Sequence, residues 1–234
     1  MSVGVASAAY AMYAAVTWLR YGHAAQPSHD DEDRLLDRFM PAYEVVERHH
    51  IRVAAPAEIT FAAACDTSLL SSPLSRAIFS AREVIMGSTP DRAQRPSGVL
   101  ALTKSIGWGV LADVPAREVV MGAVTQPWKA NVTFRPLPPD DFAAFNEPGY
   151  VKIVWTLRAD PVTANESVFR TETRVIATDV SARRKFRGYW SLLSPGIIII
   201  RAMLLQPVKR EAERRARVSE PGGHEASQAF AERP

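Results

Sequence analysis

The stretch Ser181-Ala-Arg-Arg-Lys-Phe-Arg-Gly-Tyr-Trp190-Ser-Leu-Leu-Ser-Pro-Gly-Ile-Ile-Ile-Ile200-Arg-Ala-Met-Leu-Leu205-Gln-Pro-Val-Lys-Arg-Glu-Ala-Glu213 decides how the rest of the chain folds. Consecutive isoleucines from Ile197 to Ile200 read as membrane sequence, yet Arg183, Arg184, Lys185 and Arg187 precede them and Lys209-Arg-Glu follows. Apolar residues recur at Phe186, Trp190, Leu193, Ile197, Ile200 and Leu204, alternating steps of four and three, the spacing of one helix face. The run from Ile197 to Leu205 is broken by Arg201 and is shorter than the roughly 20 residues that cross a bilayer. Ser194-Pro195-Gly196 predicts a kink or a restart inside this helix, with Ser194 as cap and Pro195 in the first helical position. A long C-terminal helix with one apolar stripe needs a surface to cover, and the preceding residues supply it.

From Lys104 onward the chain reads as strands. Ser105–Ala112 and Arg117–Gln126 flank the turn Asp113-Val-Pro-Ala and predict a hairpin. Tyr150–Arg158 and Ser167–Thr178 predict two more strands, with Asp160-Pro161 and Ala164-Asn165 between them. The first of these alternates, Val151, Ile153, Trp155 and Leu157 on one face, Lys152, Thr156 and Arg158 on the other. Between the hairpin and these strands lies a proline-rich loop, Phe134 to Gly149, holding a short helical stretch at Asp140–Phe145. Upstream, Tyr43–Val53 reads as a strand. Helices are expected at Arg34–Met40, Ala57–Ala64 and Leu69–Phe79, the last with Ser72-Pro73 as its start. The loop Ser88–Gly98 separates this half from the hairpin. The fold class is therefore α+β: a curved antiparallel sheet wrapped around a long C-terminal helix, with an N-terminal helix outside the core.

The chain has 234 residues, is 47% hydrophobic and 23% charged, and carries a net charge of +3. That is a globular balance and gives little argument for nucleic acid. With Cys65 as the single cysteine no intrachain disulfide can form, and its apolar neighbours Phe61-Ala-Ala-Ala predict a buried, inert thiol. Ser2 to Leu19 is uncharged, with Trp18, Arg20 and Tyr21 at its end. No Lys or Arg precedes it, which argues against a secretory signal. Arg20, Arg34 and Arg38 follow it, so an anchor here would leave the domain in the cytoplasm, as a single-pass protein of the inner membrane. The alternative is a helix of a soluble cytoplasmic protein. The expected organisation is an N-terminal hydrophobic helix at 1–22, a linker and short helix at 23–42, one domain at 43–217, and a disordered tail at 218–234.

Two sets of residues carry a family resemblance. Ile51-Arg-Val-Ala-Ala-Pro-Ala-Glu-Ile-Thr-Phe61 resembles an opening strand followed by an "APAE" helix start. Thr171-Glu-Thr-Arg-Val175, Ala182-Arg-Arg-Lys-Phe186, Tyr189-Trp190 and Ser194-Pro195-Gly196 are similar to the end of a bacterial subgroup of undefined function. Both point to the START-like, or SRPBCC (polyketide cyclase-like), helix-grip superfamily. The resemblance covers roughly Tyr43 to Arg217. It implies a deep apolar cavity between the sheet and the last helix, holding a lipid, a polyketide or another hydrophobic molecule. Some members are cyclases, so an enzyme of the cyclase or dehydratase kind is the rival reading. A structural accessory protein whose own side chains fill the cavity is a third.

The expected ligand-binding residues are Trp108, Trp128, Phe134, Phe142, Phe145 and Trp155 as aromatics of the cavity or its mouth. Trp190 and Ile197 come from the helix stripe, and Thr171 and Thr173 from the face shared with Phe169 and Val175. Ala123 or Val124 is the floor, of which only one can point inward, and Val124 is taken as the contact. Glu172 and Arg174 fall on the other face, as an exposed or loop-covered pair. No metal spacing, P-loop or nucleophile motif occurs, so no cofactor and no catalytic residue is assigned. His49 and His50 are adjacent, face opposite sides of a strand, and read as structural. The partners expected are a hydrophobic small molecule or lipid and the membrane.

Overall fold

The structure is a computed structural model, and it describes residues 3–24, 28, 32–68, 73–88 and 96–219. The tail from 220 on, most of the 25–31 linker, the Ser72 cap and the loop at 89–95 lie outside the described residues.

Five strands form one antiparallel sheet: β1 (Val45–Val53), β2 (Gly109–Val114), β3 (Glu118–Thr125), β4 (Val151–Thr163) and β5 (Glu166–Ala177). Their spatial order is β1-β5-β4-β3-β2. The helices are α1 (Val3–Arg20), α2 (Arg34–Asp37), α3 (Ala57–Asp66), α4 (Pro73–Met86), α5 (Val99–Ser105), α6 (Pro139–Ala144) and α7 (Val180–Ser219). This is an α+β helix-grip architecture: the sheet curves around α7, and α1 stands outside the core.

Asp179 starts α7 by accepting hydrogen bonds from the backbone N–H groups of Ser181, at 2.6 Å, and Ala182, at 3.0 Å. Backbone donors, that of Ala182 first, hold its carboxyl below the usual carboxylate range. The helix then runs 40 residues with Pro195 and Pro207 inside it. The restart expected at Ser194 is absent. Ser194 is buried, and its hydroxyl meets Tyr13 Oη at 3.0 Å instead of capping a new helix.

The strand register sorts every side chain to one of two faces. On the inner face, toward α7, two apolar clusters form. At one end Val45, Val151, Val175 and Ala177 pack on Ala182, Phe186 and Trp190. At the other, Val53, Val119, Met121, Leu157 and Phe169 pack on Leu204, Val208 and Ala212, with α3 alongside. On the outer face, Val120, Val124, Val154 and Leu111 pack on Leu36, Phe39, Met40 and Phe142. The outer face is thus no solvent face: the segment 36–40 and α6 cover it.

Several boundaries differ from expectation: α2 ends at Asp37 and not Met40, α4 runs on to Met86, and β2 begins at Gly109 and not Ser105. β4 continues through Pro161 to Thr163. β3 pairs with β4 only as far as Arg158, so beyond that point Pro161 sits on a free edge where its missing N–H costs no ladder bond. Residues 99–105, of which only the last was expected in a strand, form α5, whose buried Val99 and part-buried Leu100 join the inner-face cluster around α3.

Candidate functional site

The alternation of β1 places Val45, Glu47, His49, Ile51 and Val53 on the inner face. Val45 belongs to one apolar cluster and Val53, with Ile51, to the other. Glu47 and His49 lie between them. On the neighbouring β5, Thr173 pairs with Glu47 and Thr171 with His49, again between Val175 and Phe169. Trp155 pairs with Thr173 from β4. A polar band therefore crosses the inner face where the two clusters part.

α7 contributes Arg201 to this band. Arg201 falls on the same helical stripe as Ile197, Leu204 and Val208, and its guanidinium lies 5.2 Å from the Trp155 ring centroid. Among the described residues it makes no hydrogen bond or ion pair. Burial pulls its pKa down to about 10, partly offset by the charge of Glu47, so it stays a cation at neutral pH. Burial raises the Glu47 pKa, with Arg201 opposing. Burial, then Arg201 and His50, lowers that of His49, which favours neutral imidazole. Glu47 Oε2 stands 3.9 Å from His49 Nε2, too far for a hydrogen bond. His49 Nε2 and Thr171 Oγ1 are both buried without a hydrogen-bond partner. Buried polar atoms are nearly always paired, so two orphans side by side in register require a physical reason.

The expected contact residues divide between the two faces. Trp155, Thr171 and Thr173 belong to the polar band, and Trp190 and Ile197 to the adjoining cluster. Trp128 packs at the edge of that cluster. Trp108 lies against Trp155, ring centroids 6.2 Å apart, and Phe134 lies 5.0 Å from Trp108. Gly107 permits the second contact. Its φ is +101°, and a Cβ there would stand 2.5 Å from the Phe134 carbonyl oxygen.

Val124, Phe142 and Phe145 are a correction. Val124 and Phe142 pack together on the outer face, with Phe145 against them, so the sheet separates all three from α7. Ala123, fully buried and paired with Ile153, is the β3 residue on the inner side. Apolar character could not separate the two positions, because β3 is buried along its whole length on both faces. Conversely, the alternation of β1 already carried Glu47 and His49 inward, and the break in the apolar run already marked Arg201.

The charged groups of the outer face are mostly paired, with Glu118 Oε1, buried and without a hydrogen-bond partner, as an exception. Arg174, only 1% exposed, donates to Glu172 Oε1 at 2.7 Å, Asp37 Oδ1 at 2.5 Å and the Met40 carbonyl at 2.8 Å. This is the loop-covered pair expected from the sequence, tied to the segment that covers it. Arg48 adds a 3.1 Å contact to Glu172, while Arg158 and Arg170 share Asp160 at 2.7 and 3.0 Å. The depression among Asp33, Arg48, Arg158 and Arg170, which His49 and Thr171 also border, encloses about 20 Å³, room for a water molecule. Cys65 is part-buried at the edge of the α3 cluster, and burial, then Asp66 and Asp113, push its thiol up to about 11, which keeps it protonated.

No family model and no curated protein matches the chain. Among solved structures it is similar to a norcoclaurine synthase point mutant from Thalictrum flavum, at 9% identity over 73% of this chain and 95% of that one, with a TM-score of 0.34. A Thermobifida fusca protein gives 15% identity over 74% and 95%, with a TM-score of 0.31. The Zhui aromatase/cyclase of a Streptomyces species gives 14% over 75% and 98%, with a TM-score of 0.23. Likenesses this distant carry no function across. The helix-grip assignment rests on the chain's own strand order and on the helix laid along its inner face.

Proposed function

We propose that the protein binds a hydrophobic small molecule or lipid between the inner face of the sheet and α7. The observation that supports this most is the division of the inner core. Both ends of α7 are packed, while its middle holds Ile197, Ile198 and Ile200 only part-buried over a band of unsatisfied polar groups. A helix committed to a closed core would bury those side chains, each fully buried one contributing about 1.5–3 kcal/mol. A guest with an apolar body would restore that burial.

The exposed apolar surface supports a membrane setting. α7 is the one described helix long and apolar enough to cross a bilayer, and only 22% of its most apolar stretch is buried. α1 docks on it: Tyr10 donates to the Leu192 carbonyl, and Arg187 donates to the Trp18 carbonyl at 2.8 Å while lying over the Trp18 ring. α1 leaves Met12 and Leu19 outward at 68% and 70% exposure, and α4 leaves Val84 at 81%. These faces would bring the ligand site to a lipid surface from which a hydrophobic guest can enter.

A second reading has its own support. A neutral His49 beside a carboxyl of raised pKa, both in the interior, has the makings of a general base and general acid, as a cyclase or dehydratase requires. Native mass spectrometry of the full-length chain, purified gently with its lipids, tests the binding reading. A discrete adduct of small-molecule mass is expected. Bare protein together with failure to take up any apolar probe would favour the accessory role.

A further inference from the structure

We infer that the polar band of the inner face receives the carboxylate of an otherwise apolar ligand, with Arg201 as the anchor and His49 and Thr171 as the flanking donors. This rests on the binding reading above and names its ligand class.

The argument starts from what Arg201 lacks. A guanidinium carries five N–H donors and stays charged at neutral pH. Here its guanidinium carbon lies 5.2 Å from the Trp155 ring centroid, and among the described residues its N–H groups have no acceptor. Edge-on donation in a fork is the geometry that a carboxylate accepts with both oxygens. Across the band, His49 Nε2 and Thr171 Oγ1 are the two buried orphans, from residues paired directly between β1 and β5. Both can donate: the hydroxyl rotates freely, and a neutral imidazole can carry its proton on Nε2. One cation and two neutral donors match the acceptor capacity of a single carboxylate.

The charge balance selects a monoanion. Glu47 lies on the same face, coupled to Arg201 without an ion pair. Burial favours its neutral form, which leaves the single charge of Arg201 for one carboxylate, whereas a dianionic phosphate monoester would bring a surplus of negative charge. An alcohol or ester, with no charge, would leave the part-buried Arg201 without an anion. The rival arrangement is internal: Glu47 swings onto Arg201 and closes the pair, and the ligand is then read by its apolar body alone.

Calorimetric titration of the full-length chain at neutral pH with decanoic acid and with decan-1-ol separates these. The two probes share a chain and differ in the head group. Decanoate is expected to bind more than about tenfold tighter than decan-1-ol, as a charge-assisted fork requires. Arg201→Gln should bring the two within about twofold by weakening decanoate, with decan-1-ol unchanged. Arg201→Lys, which keeps the charge and loses the fork, should keep part of the preference. Should Arg201→Gln fail to fold, the wild-type ratio and Arg201→Lys decide. Equal affinities in the wild-type chain would overturn the inference and leave the binding reading standing. A decanoate preference that survives Arg201→Gln would also overturn it. Binding of neither probe would overturn both.

Discussion

The two faces of the sheet carry similar residue types and treat them in opposite ways. On the outer face, Arg174 is almost fully buried and makes charge-assisted bonds to Glu172, Asp37 and the Met40 carbonyl. On the inner face, Arg201 is held by a ring alone, and His49 Nε2 and Thr171 Oγ1 have no hydrogen-bond partner. A buried charge that is fully paired fastens the elements around it, here the segment 37–40 onto β5. A group left unpaired in the interior costs stability and persists where something else, such as a guest, supplies the missing bonds. The outer network is architecture, and the inner band is where the proposed guest would bind.

The largest effect should come from breaking the architecture. Arg174→Ala removes a cation that Glu172 and Asp37 share, leaving the buried Glu172 with Arg48 as its remaining partner and the Met40 carbonyl without its donor. A loss of about 3–5 kcal/mol is expected in chemical denaturation. A loss below about 1 kcal/mol would mean that the outer network is no more than a surface arrangement.

Glu118 offers an intermediate test, as the outer-face carboxyl that is least well paired. Its Oε1 is buried without a partner, and burial, then Asp33, raise its pKa from 4.5 to about 8. The folded state therefore keeps a proton that the unfolded state releases. The stability tied to that proton is complete below about pH 4.5 and is lost as the pH rises toward 8. Glu118→Gln should flatten the unfolding midpoint across this window and raise it at the alkaline end. An unchanged pH profile would show that Glu118 is ionised in the fold.

The smallest effect is expected on the inner face. Thr171→Val keeps the shape and removes an unpaired hydroxyl, so stability without ligand should stay the same or rise by up to about 1 kcal/mol. A loss above about 2 kcal/mol would show that the hydroxyl has a partner, and the contrast between the faces would narrow.

Much of the fold was legible because period and length agree. Phe186, Trp190 and Leu204 repeat as a helix does, and Val151, Ile153, Trp155 and Leu157 alternate as a strand does. The faces of β3 were not legible. Val124 and Ala123 are both apolar and both buried, and only the cover of the outer face by Leu36, Phe39 and Phe142 separates them. That cover is a tertiary fact with no local signal. The polar band was legible in half. Alternation places Glu47 and His49 on the face of Val45, Ile51 and Val53, but β1 alone does not say what stands opposite them. The orphan state of His49 depends on β5 and α7, which no spacing within β1 encodes.

The most direct measurement is a fluorescence titration of the full-length chain with N-phenyl-1-naphthylamine, a neutral apolar probe, followed to saturation at several temperatures. A hydrophobic site between sheet and α7 predicts one saturable site per chain, a negative heat-capacity change and a raised unfolding temperature. It also predicts that Ala123→Phe, which fills the inner side, abolishes the site while unfolding stays cooperative, and that Val124→Ile, on the outer side, leaves it intact. Non-saturating uptake, or the same titration curve in Ala123→Phe, would contradict an inner-face site.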